Sequence, residues 1–469
     1  MDAERLAEHL NHPHRRGAPL AGGRDGVAGG AACGDLVRLS VAVTGGRVSE
    51  VSFEASGCGS ASAAGSAAAF LVDGSDVFDA ALVGPAEIAS ELGGLSPGKY
   101  HAAELAAEAL ARALGAAVYA SGPAEPVQGR VLVAMSGGVD SAVAGLLCRQ
   151  DAGASPVAVT LELWRDPEGD EEASCCSASA VRRARRVARS IGMPHFTLDL
   201  REEFEREVVG PWLEGHRSGI TPNPCIRCNG HLRLDAMIAM ADRLGAPTLA
   251  TGHYARTGPS GELLCALDAD KDQSFMLAAL DPNSLARMAF PLGSLTKASV
   301  RNTAEAAGLE VAATPDSQDL CFLAGVGRQR FLERFGGMRE SEGRIIDTGG
   351  RVLGTHRGAH RFTVGQRRGL EIGGLAEPLY VVATDTAANT VTVGPRRALA
   401  RELIGLRDLR LRDDEGTVRE VRLRSHAPSV GCRLEGRQLR LDRPVIAPAP
   451  GQTAVFLDGE RVVGCATIA

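Results

Sequence analysis

The sequence predicts a multidomain fold: an N-terminal α+β domain, a central α/β domain with a parallel sheet, and an all-β tail that includes a small barrel. The chain has 469 residues, which is too long for one ordinary hydrophobic core. From residue 131 apolar strands alternate with helices, and from residue 343 short strands joined by turns replace the helices. This change of pattern along the chain predicts three kinds of domain.

Five segments follow from these patterns. In residues 1–122 the stretch VRLSVAVTGGRVSEVSFEAS alternates apolar and polar residues around a Gly-Gly turn, which predicts a hairpin. Residues 123–130 are rich in Pro and Gly and predict a linker. Residues 131–342 alternate strand, loop and helix, so we expect parallel strands with helices on both faces. Residues 343–398 predict a small β domain and residues 399–469 a β-barrel.

The composition is that of a soluble globular protein, with 44% hydrophobic and 23% charged residues. No apolar run is long enough to cross a bilayer and the charged N-terminus lacks a signal peptide, so we expect a cytoplasmic protein without membrane contact. Eleven cysteines then favour reduced thiols that serve chemistry or metal binding. The net charge is −6 and falls mainly on residues 1–125, so a nucleic acid would meet local basic clusters in the remainder.

The segment AMSGGVDS, residues 134–141, follows an apolar strand and opens a helix. Two glycines let the backbone approach a phosphate, and the amides of a helix N-terminus point at the anion. The hydroxyls of Ser136 and Ser141 can add hydrogen bonds, and Asp140 can orient Mg²⁺. The alternative is an ordinary turn in which Asp140 or Ser141 only caps the helix. The segment is neither a Walker A loop nor a dinucleotide fingerprint.

Two further segments carry thiols. TPNPCIRCN, residues 221–229, holds Cys225 and Cys228 as a C-x-x-C pair, and SQDLCF holds Cys321. Such a pair alone fits a metal site, a redox pair or two ordinary cysteines. Beside a nucleotide loop it predicts a protein that uses ATP to attach sulfur to a substrate.

Six segments, in this order, resemble the tRNA-specific 2-thiouridylases, and SGGVDS resembles the loop of the N-type ATP pyrophosphatases. They are SGGVDS, TPNPCIRCN, ATGHYAR, KDQSFML, PDSQDLCF and HRFTVGQRRGLEIGG. The resemblance covers about residues 129–469 and implies ATP-dependent 2-thiolation of the wobble uridine of tRNA. The C2 oxygen would be adenylated, the base would leave the anticodon stack, and sulfur would displace AMP. A cysteine desulfurase or a sulfur-relay protein would supply the sulfur.

The same resemblance implies roles for individual residues. ATP would contact Ala134, Met135, Ser136, Gly137, Gly138, Val139, Asp140, Ser141, Leu161 and Gly252. The target base would meet Asn223, Pro224 and Cys225, and tRNA would meet His253, Lys271, Asp272, Gln273 and Gln452. A cation such as Lys271 suits RNA or ATP phosphates, although a solvated lysine is the ordinary case. A lone histidine such as His253 is more often structural.

Position 225 departs from the family pattern, in which an Asp usually serves as acid/base. Cys225 removes that base and leaves three thiols. In one mechanism Cys321 carries a persulfide, Cys228 is its partner and Cys225 is a spare resolving thiol. In the other, which we favour, Cys225, Cys228 and Cys321 ligate three irons of a [4Fe–4S] cluster whose fourth iron binds hydrosulfide. Three thiolates without a fourth ligand fit structural zinc poorly.

Residues 1 to about 120 resemble the IscU/NifU-type iron–sulfur scaffold. The matching stretches are LAEHLNHPHRRG, AACGDLVRLSVAV, FEASGCGSASAAGSAAAFLVDG and LSPGKYHAAELAAEALARAL. The family's cluster cysteines would fall at Cys33, Cys58 and position 102, where this chain has Ala102. Cys33, Asp35, Cys58 and His101 remain as a mixed site for zinc or a labile cluster. The domain would be a tethered donor or a degenerate docking module.

Two other classes of function compete with the thiouridylase hypothesis. Another ATP pyrophosphatase, such as an amide-forming synthetase, would keep SGGVDS but would not need the thiol segments. An iron–sulfur assembly or carrier protein with an RNA-binding C-terminal part would release no pyrophosphate from ATP.

Overall fold

The computed structural model describes residues 3–30, 34–166, 177–315, 320–373, 377–446 and 448–469. It confirms the predicted fold class: an α+β domain, a parallel-sheet α/β domain and an all-β C-terminal region with a closed barrel. Among the described residues no helix has both the length and the apolar composition that crossing a bilayer requires.

The N-terminal domain is a three-stranded antiparallel sheet covered by helices. The predicted hairpin is confirmed, since strands Leu36–Thr44 (β2) and Arg47–Ser56 (β3) pair across Gly45 and Gly46, whose φ angles of 57° and 76° suit the tight turn. Its elements are α1 (Ala3–Asn11), β1 (Arg24–Gly29), β2 (Leu36–Thr44), β3 (Arg47–Ser56), α2 (Gly59–Val72), α3 (Val77–Leu82), α4 (Pro85–Glu91) and α5 (Tyr100–Ala120).

The α/β domain is built on a five-stranded parallel sheet, whose strands lie in the order β10 (Met288–Ala289), β7 (Thr248–Thr251), β4 (Arg130–Ala134), β5 (Ser155–Glu162) and β6 (His195–Asp199). The strand order reverses at β4, and such a point opens a crevice at the carboxyl ends of the strands where ligands bind. Its first elements are β4 (Arg130–Ala134), α6 (Val139–Gln150), β5 (Ser155–Glu162), α7 (Ala178–Ser190), β6 (His195–Asp199), α8 (Arg201–Phe204), α9 (Gly210–Arg217), α10 (Pro224–Cys228), α11 (Leu234–Arg243) and β7 (Thr248–Thr251).

The rest of this domain frames the crevice. Two π-helical segments, Glu205–Val209 and Asn229–Arg233, interrupt the helices between β6 and β7. Irregularities of this kind are frequent at functional sites. The remaining elements are β8 (Arg256–Thr257), β9 (Leu263–Leu264), α12 (Pro282–Leu285), β10 (Met288–Ala289), α13 (Lys297–Ala306) and α14 (Arg328–Arg334).

Two β domains follow. In the first, four strands lie in the order β12-β11-β14-β13, and in the second, six strands close into a barrel because β15 pairs with both β18 and β20. The α/β domain joins the barrel sheet, since β9 pairs with β20. The strands are β11 (Gly343–Asp347), β12 (Val352–His356), β13 (Leu379–Asp385), β14 (Thr390–Pro395), β15 (Ala400–Leu411), β16 (Glu420–Arg422), β17 (Val430–Glu435), β18 (Gln438–Ile446), β19 (Thr453–Asp458) and β20 (Arg461–Ile468).

The N-terminal domain is docked on the α/β domain through helix α5. A Cβ atom at Gly115 would lie 2.0 Å from the carbonyl oxygen of Thr197 in β6, so only glycine allows this approach. Arg112 of α5 pairs with Glu162, at the end of β5, over 2.9 Å. Residues of α5 and β6 also belong to one continuous buried apolar cluster.

The segment between these domains is held in place as well. The amide of Ala124 donates to the carbonyl of Asp242 over 2.9 Å, and that of Val127 donates to Gly245 over 2.9 Å. Because backbone hydrogen bonds fix this segment along the end of α11, it does not act as a loose tether.

Candidate active site

The predicted phosphate loop connects β4 to α6 and is ordered by its own serines. The Ser141 hydroxyl accepts from the Ser136 amide over 3.0 Å and donates to the Gly138 carbonyl over 3.1 Å. Gly137 has a φ of 77°, and a Cβ there would lie 2.5 Å from the carbonyl oxygen of Ala180. The loop therefore needs glycine both for its backbone conformation and for its packing.

The carboxyl ends of three strands meet at this loop. Gly252 follows β7, and a Cβ on it would lie 2.7 Å from the Ser141 amide nitrogen. Leu161 is a buried residue near the end of β5, and Met135 is buried directly after β4. The structure thus brings together the predicted ATP-contacting residues from β4, β5 and β7 at the crevice.

Asp140 has partners that the sequence patterns did not reveal. Its carboxylate accepts from Lys297 Nζ over 2.7 and 2.8 Å and from the Tyr254 hydroxyl over 2.9 Å. Lys297 lies in the first turn of α13, just after the N-cap Thr296. A cation there is unfavourable beside the positive end of the helix dipole, so a lysine directly after a threonine that can cap a helix was the available signal for an electrostatic role.

The C-x-x-C pair lies on helix α10, which Asn223 caps. The side-chain oxygen of Asn223 accepts from the amides of Cys225 (3.1 Å) and Ile226 (3.4 Å), and Pro224 occupies the first turn. Cys225 is half-buried and Cys228 is buried. Because the two cysteines are three residues apart on a helix, their side chains lie on the same face.

Cys321 is half-buried and precedes an aromatic cluster. The ring of Phe322 packs 5.2 Å from Trp212 and 5.1 Å from Phe331 of α14, measured between centroids. These edge-on and tilted contacts fix the backbone beside the thiol. Residues 316–319, which precede Cys321 in its motif, lie outside the described part of the chain.

Both β domains hold the segment that leads into α10. Gln452 of the barrel donates from Nε2 to the Thr221 carbonyl over 2.7 Å, and the Thr221 amide donates to the Pro450 carbonyl over 3.2 Å. Thr384 lies on β13 of the four-stranded β domain, which we call the middle β domain, and donates to the Gly219 carbonyl over 3.2 Å. The structure therefore gives Gln452, a predicted tRNA contact, a bond within the protein.

The KDQS segment is anchored by its two central residues. Asp272 is buried, pairs with Arg422 of the barrel over 2.6 Å and accepts from the Ser274 hydroxyl over 2.9 Å. Gln273 accepts from the Tyr254 amide over 3.0 Å. Both side chains thus join parts of the protein to one another.

Lys271 and His253 occupy partly exposed positions beside this segment. His253 Nδ1 lies 2.8 Å from the Thr251 hydroxyl. Burial, with a smaller contribution from the Arg233 charge, lowers the pKa of His253 to about 3. The ring is therefore neutral near pH 7, and any contact it makes with RNA is that of an uncharged group.

The N-terminal domain contains a second cluster of ligand-forming side chains. The Asp35 carboxylate accepts from the Cys58 amide (2.7 Å) and thiol (3.1 Å), and His101 Nε2 lies 3.0 Å from it. These hydrogen bonds, that of the Cys58 amide first, lower the pKa of Asp35. Gly57 has a φ of 113°, and a Cβ there would lie 2.1 Å from Asp35 Oδ1, so glycine is required beside the carboxylate.

Asp35, Cys58 and His101 each offer a ligand atom, and these atoms lie within 4.8 Å of one another. In the described part of the chain this is the one such group of three or more His, Cys, Asp or Glu side chains. Ala102 is fully buried beside the cluster, and Cys33 lies outside the described residues.

The fold and the site define a class: a parallel-sheet α/β domain with a glycine-rich loop at its switch point and a C-x-x-C helix, combined with two β domains. Family models match along the chain as "tRNA methyl transferase HUP domain" (residues 129–325), "NifU-like N terminal domain" (1–121), "tRNA methyl transferase PRC-barrel domain" (329–395) and "Aminomethyltransferase beta-barrel domain" (409–468).

Known proteins resemble most or nearly all of the chain. The bifunctional protein NifU/MnmA of Rubrobacter xylanophilus is 43% identical over 99% of this chain and 98% of its own. The tRNA-specific 2-thiouridylase MnmA of Zymomonas mobilis is 42% identical over 71% of this chain and 92% of its own. The chain belongs to the tRNA-specific 2-thiouridylase family, in the bifunctional form with a NifU-like N-terminal domain.

Solved structures match individual parts of the chain. The U34-tRNA thiolase NcsA of Methanococcus maripaludis, with its [4Fe-4S] cluster, is 16% identical over 42% of this chain and 61% of its own, with a TM-score of 0.28. A putative SUF-system scaffold protein from Fervidobacterium islandicum is 17% identical over 24% of this chain and 94% of its own, with a TM-score of 0.19.

Proposed function

We propose that this chain, a tRNA sulfurtransferase by family, replaces the C2 oxygen of the wobble uridine with sulfur and consumes ATP. One observation carries the proposal: Tyr254 connects the phosphate loop, residues 134–141, to helix α10, which carries Cys225 and Cys228. Its hydroxyl donates to Asp140, its amide donates to Gln273, and the following turn, Ser274–Leu277, packs against α10. The two predicted sites therefore belong to one connected unit.

In the adenylation step, the C2 oxygen attacks the α-phosphorus of ATP and pyrophosphate leaves. The amides at the N-terminus of α6 and the Lys297 ammonium would stabilise the charge that develops on the phosphates. Mg²⁺ would be held by Asp140, where it would neutralise phosphate charge. The close packing of Gly252 and Gly137 leaves the loop amides unobstructed by side chains.

In the sulfur step, a sulfur nucleophile attacks C2 and AMP leaves with the original oxygen. If Cys321 carries a persulfide, its terminal sulfur bonds to C2. The Cys228 thiolate then attacks the inner sulfur, releasing 2-thiouridine and a Cys228–Cys321 disulfide. A thiol reductant must restore the two thiols before the next turnover.

The second version of this step uses a cluster. Cys225, Cys228 and Cys321 would hold [4Fe–4S] through three irons, and the fourth iron would supply bound hydrosulfide. Thiolates are the donors that such clusters take, and Cys225 and Cys228 share one face of α10. This version forms no protein disulfide and needs no thiol reductant.

The Cys225→Asp variant separates the two versions. Wild-type chain and variant are purified without oxygen, and iron, sulfide and 2-thiouridine are measured with tRNA, ATP and either a persulfide donor or sulfide. If a cluster is used, the variant loses bound iron and, because Asp restores an acid/base, gains thiolation that depends on a persulfide donor. Active wild type without iron would exclude the cluster. Absence of pyrophosphate release with tRNA would exclude thiolation itself.

The N-terminal cluster supports a second function, the binding of a metal ion. The imidazole, thiol and carboxylate of His101, Cys58 and Asp35 converge within the reach of one ion, and this donor set suits zinc or ferrous iron. We propose that this domain binds such an ion in the intact chain. The hydrogen bonds that now join the three groups would be replaced by bonds to the ion, with release of the thiol proton.

A further inference from the structure

A cavity of about 570 Å³ lies where helix α14 meets the 3₁₀ turn Ala359–Arg361 of the middle β domain. Its lining combines three arginines, two carboxylates and one imidazole with the apolar side chains of Val326 and Met338. We call it the arginine pocket and define it by Arg328, Gln329, Arg330, Glu333, Glu340, His360 and Arg361.

The positive charge of this pocket is only partly balanced by its own carboxylates, Glu333 and Glu340. Arg361 pairs with Glu340, which also lies 3.6 Å from Arg357. Arg328 donates to the Arg361 carbonyl over 2.7 Å and to the Thr363 hydroxyl over 3.3 Å. Within the described chain neither Arg328 nor exposed Arg330 makes an ion pair, so two guanidinium groups keep their full charge.

Two imidazoles at the pocket respond to this charge. Burial, followed by the charges of Arg328 and His360, lowers the pKa of His216 to about 4. Burial, followed by the charges of Arg361 and Arg328, lowers the pKa of His360. A positive potential disfavours a further positive charge on each ring, and a bound anion would relieve that potential.

The pocket adjoins both thiol-bearing segments. The Thr363 hydroxyl that accepts from Arg328 also accepts from the Thr221 hydroxyl over 3.4 Å, two residues before Asn223. On the other side, Phe331 of α14 packs against Phe322, the residue after Cys321. A ligand in this pocket would therefore lie beside the segments that carry all three central cysteines.

We propose that the arginine pocket binds a backbone phosphate of the RNA next to the target nucleotide and so positions the uridine for sulfur transfer. This inference rests on the proposed function and deepens it. An arginine guanidinium can form two parallel hydrogen bonds with phosphate oxygens, whereas a lysine ammonium acts as a single compact charge. A volume of about 570 Å³ is large enough for a phosphate together with its ribose.

The first test measures the affinity of the full-length protein for an anticodon stem-loop RNA at several salt concentrations. Arg330→Ala should weaken binding by about tenfold and lower the salt slope by about 0.7 to 0.9, the amount expected for one lost phosphate contact. The loss should be equal for RNAs with uridine or cytidine at the target position, because phosphate contacts do not read bases. Arg24→Ala, an exposed arginine of the N-terminal domain, is the matched control.

The second test neutralises single phosphates of the RNA. A methylphosphonate beside the target nucleotide should weaken wild-type binding but not further weaken Arg330→Ala or Arg328→Lys, since the same contact is already lost. Additive losses at every phosphate would overturn the inference. A raised KM for ATP with unchanged RNA affinity would also overturn it and assign the pocket to nucleotide.

The outcome for the wild-type protein separates this inference from the proposed function. If wild type thiolates the RNA while both arginine variants bind it normally, only the pocket inference fails. If wild type neither binds nor thiolates the RNA, the proposed function fails with it. Thermal unfolding of each variant checks that the fold is intact.

Discussion

The two cysteine-bearing regions of this molecule are built from different elements. In the N-terminal domain Cys58 and His101 converge on the Asp35 carboxylate within one small group of ligand atoms. In the central domain Cys225 and Cys228 lie on a helix, and Cys321 lies on a separate segment. A single ion requires converging ligands, and both proposed forms of the central site require thiols that come from two separate segments.

The contacts that hold the two regions in place also differ, because one set lies within a single domain and the other comes from several domains. The N-terminal group is held by contacts inside its own domain, such as the close approach of Gly57 to Asp35. The segment that leads into α10 is held by Gln452 of the barrel and by Thr384 of the middle β domain. The segment that carries Cys321 is held by the packing of Trp212 against Phe322. The N-terminal group is thus supported within one domain, whereas the central cysteine segments are supported by several domains.

The largest expected effect lies in the central region. Cys228→Ala and Cys321→Ala should each lower 2-thiouridine formation by about a thousandfold or more, because both versions of the sulfur step need these thiols. Thiolation is measured by mass spectrometry of digested tRNA. Cys432→Ala, at a buried cysteine of the barrel core, is the control and should stay active. Normal thiolation by either central variant would remove the sulfur-transfer role from that residue.

An intermediate effect is expected in the N-terminal region. His101→Ala should weaken binding of zinc to the intact chain by about a hundredfold, since one of three converging ligands is lost. Competition with a chromophoric chelator measures the affinity. The exposed His12→Ala is the matched control. If thiolation with supplied sulfide falls as far as zinc affinity does, the two regions are coupled and the contrast between them is wrong.

The smallest effect concerns the contact between barrel and thiol segment. Gln452→Ala removes one hydrogen bond to the Thr221 carbonyl, worth about 1 kcal/mol, so kcat/KM for tRNA should fall by about fivefold. Initial rates of pyrophosphate release at several tRNA concentrations give kcat/KM. Gln438→Ala, on an exposed barrel position, should leave it unchanged. A hundredfold loss would instead indicate that Gln452 touches the RNA directly.

Much of the fold could be predicted because its signals are local. The Gly45–Gly46 turn, the alternation of strand and helix after residue 131 and the strand-rich tail each depend on neighbours in sequence. The assigned roles of the site residues and the domain boundaries stay predictions. Residues such as Gly252 and Ser141 nevertheless come together, because their motifs follow adjacent parallel strands.

The remaining features depend on distant pairs. Lys297 reaches Asp140 from 157 positions along the chain, and Gln452 reaches Thr221 from 231. No pattern in either segment specifies its partner. The stretch HAAELAAEALARALG predicts helix α5, and the helix is alanine-rich and apolar on more than one side. One side packs on the sheet of its own domain and another on β6 of the α/β domain. The sequence of the helix does not specify β6 as this second partner.

The contact at Gly115 has a consequence for how a cell can use this protein. A larger side chain there would separate helix α5 from β6, and the apolar surfaces that the two domains share would then meet water. A protease that cuts between residues 121 and 130 would break the chain but leave this buried contact in place. The two pieces would therefore stay together as a non-covalent complex, so cleavage alone would not release the N-terminal domain.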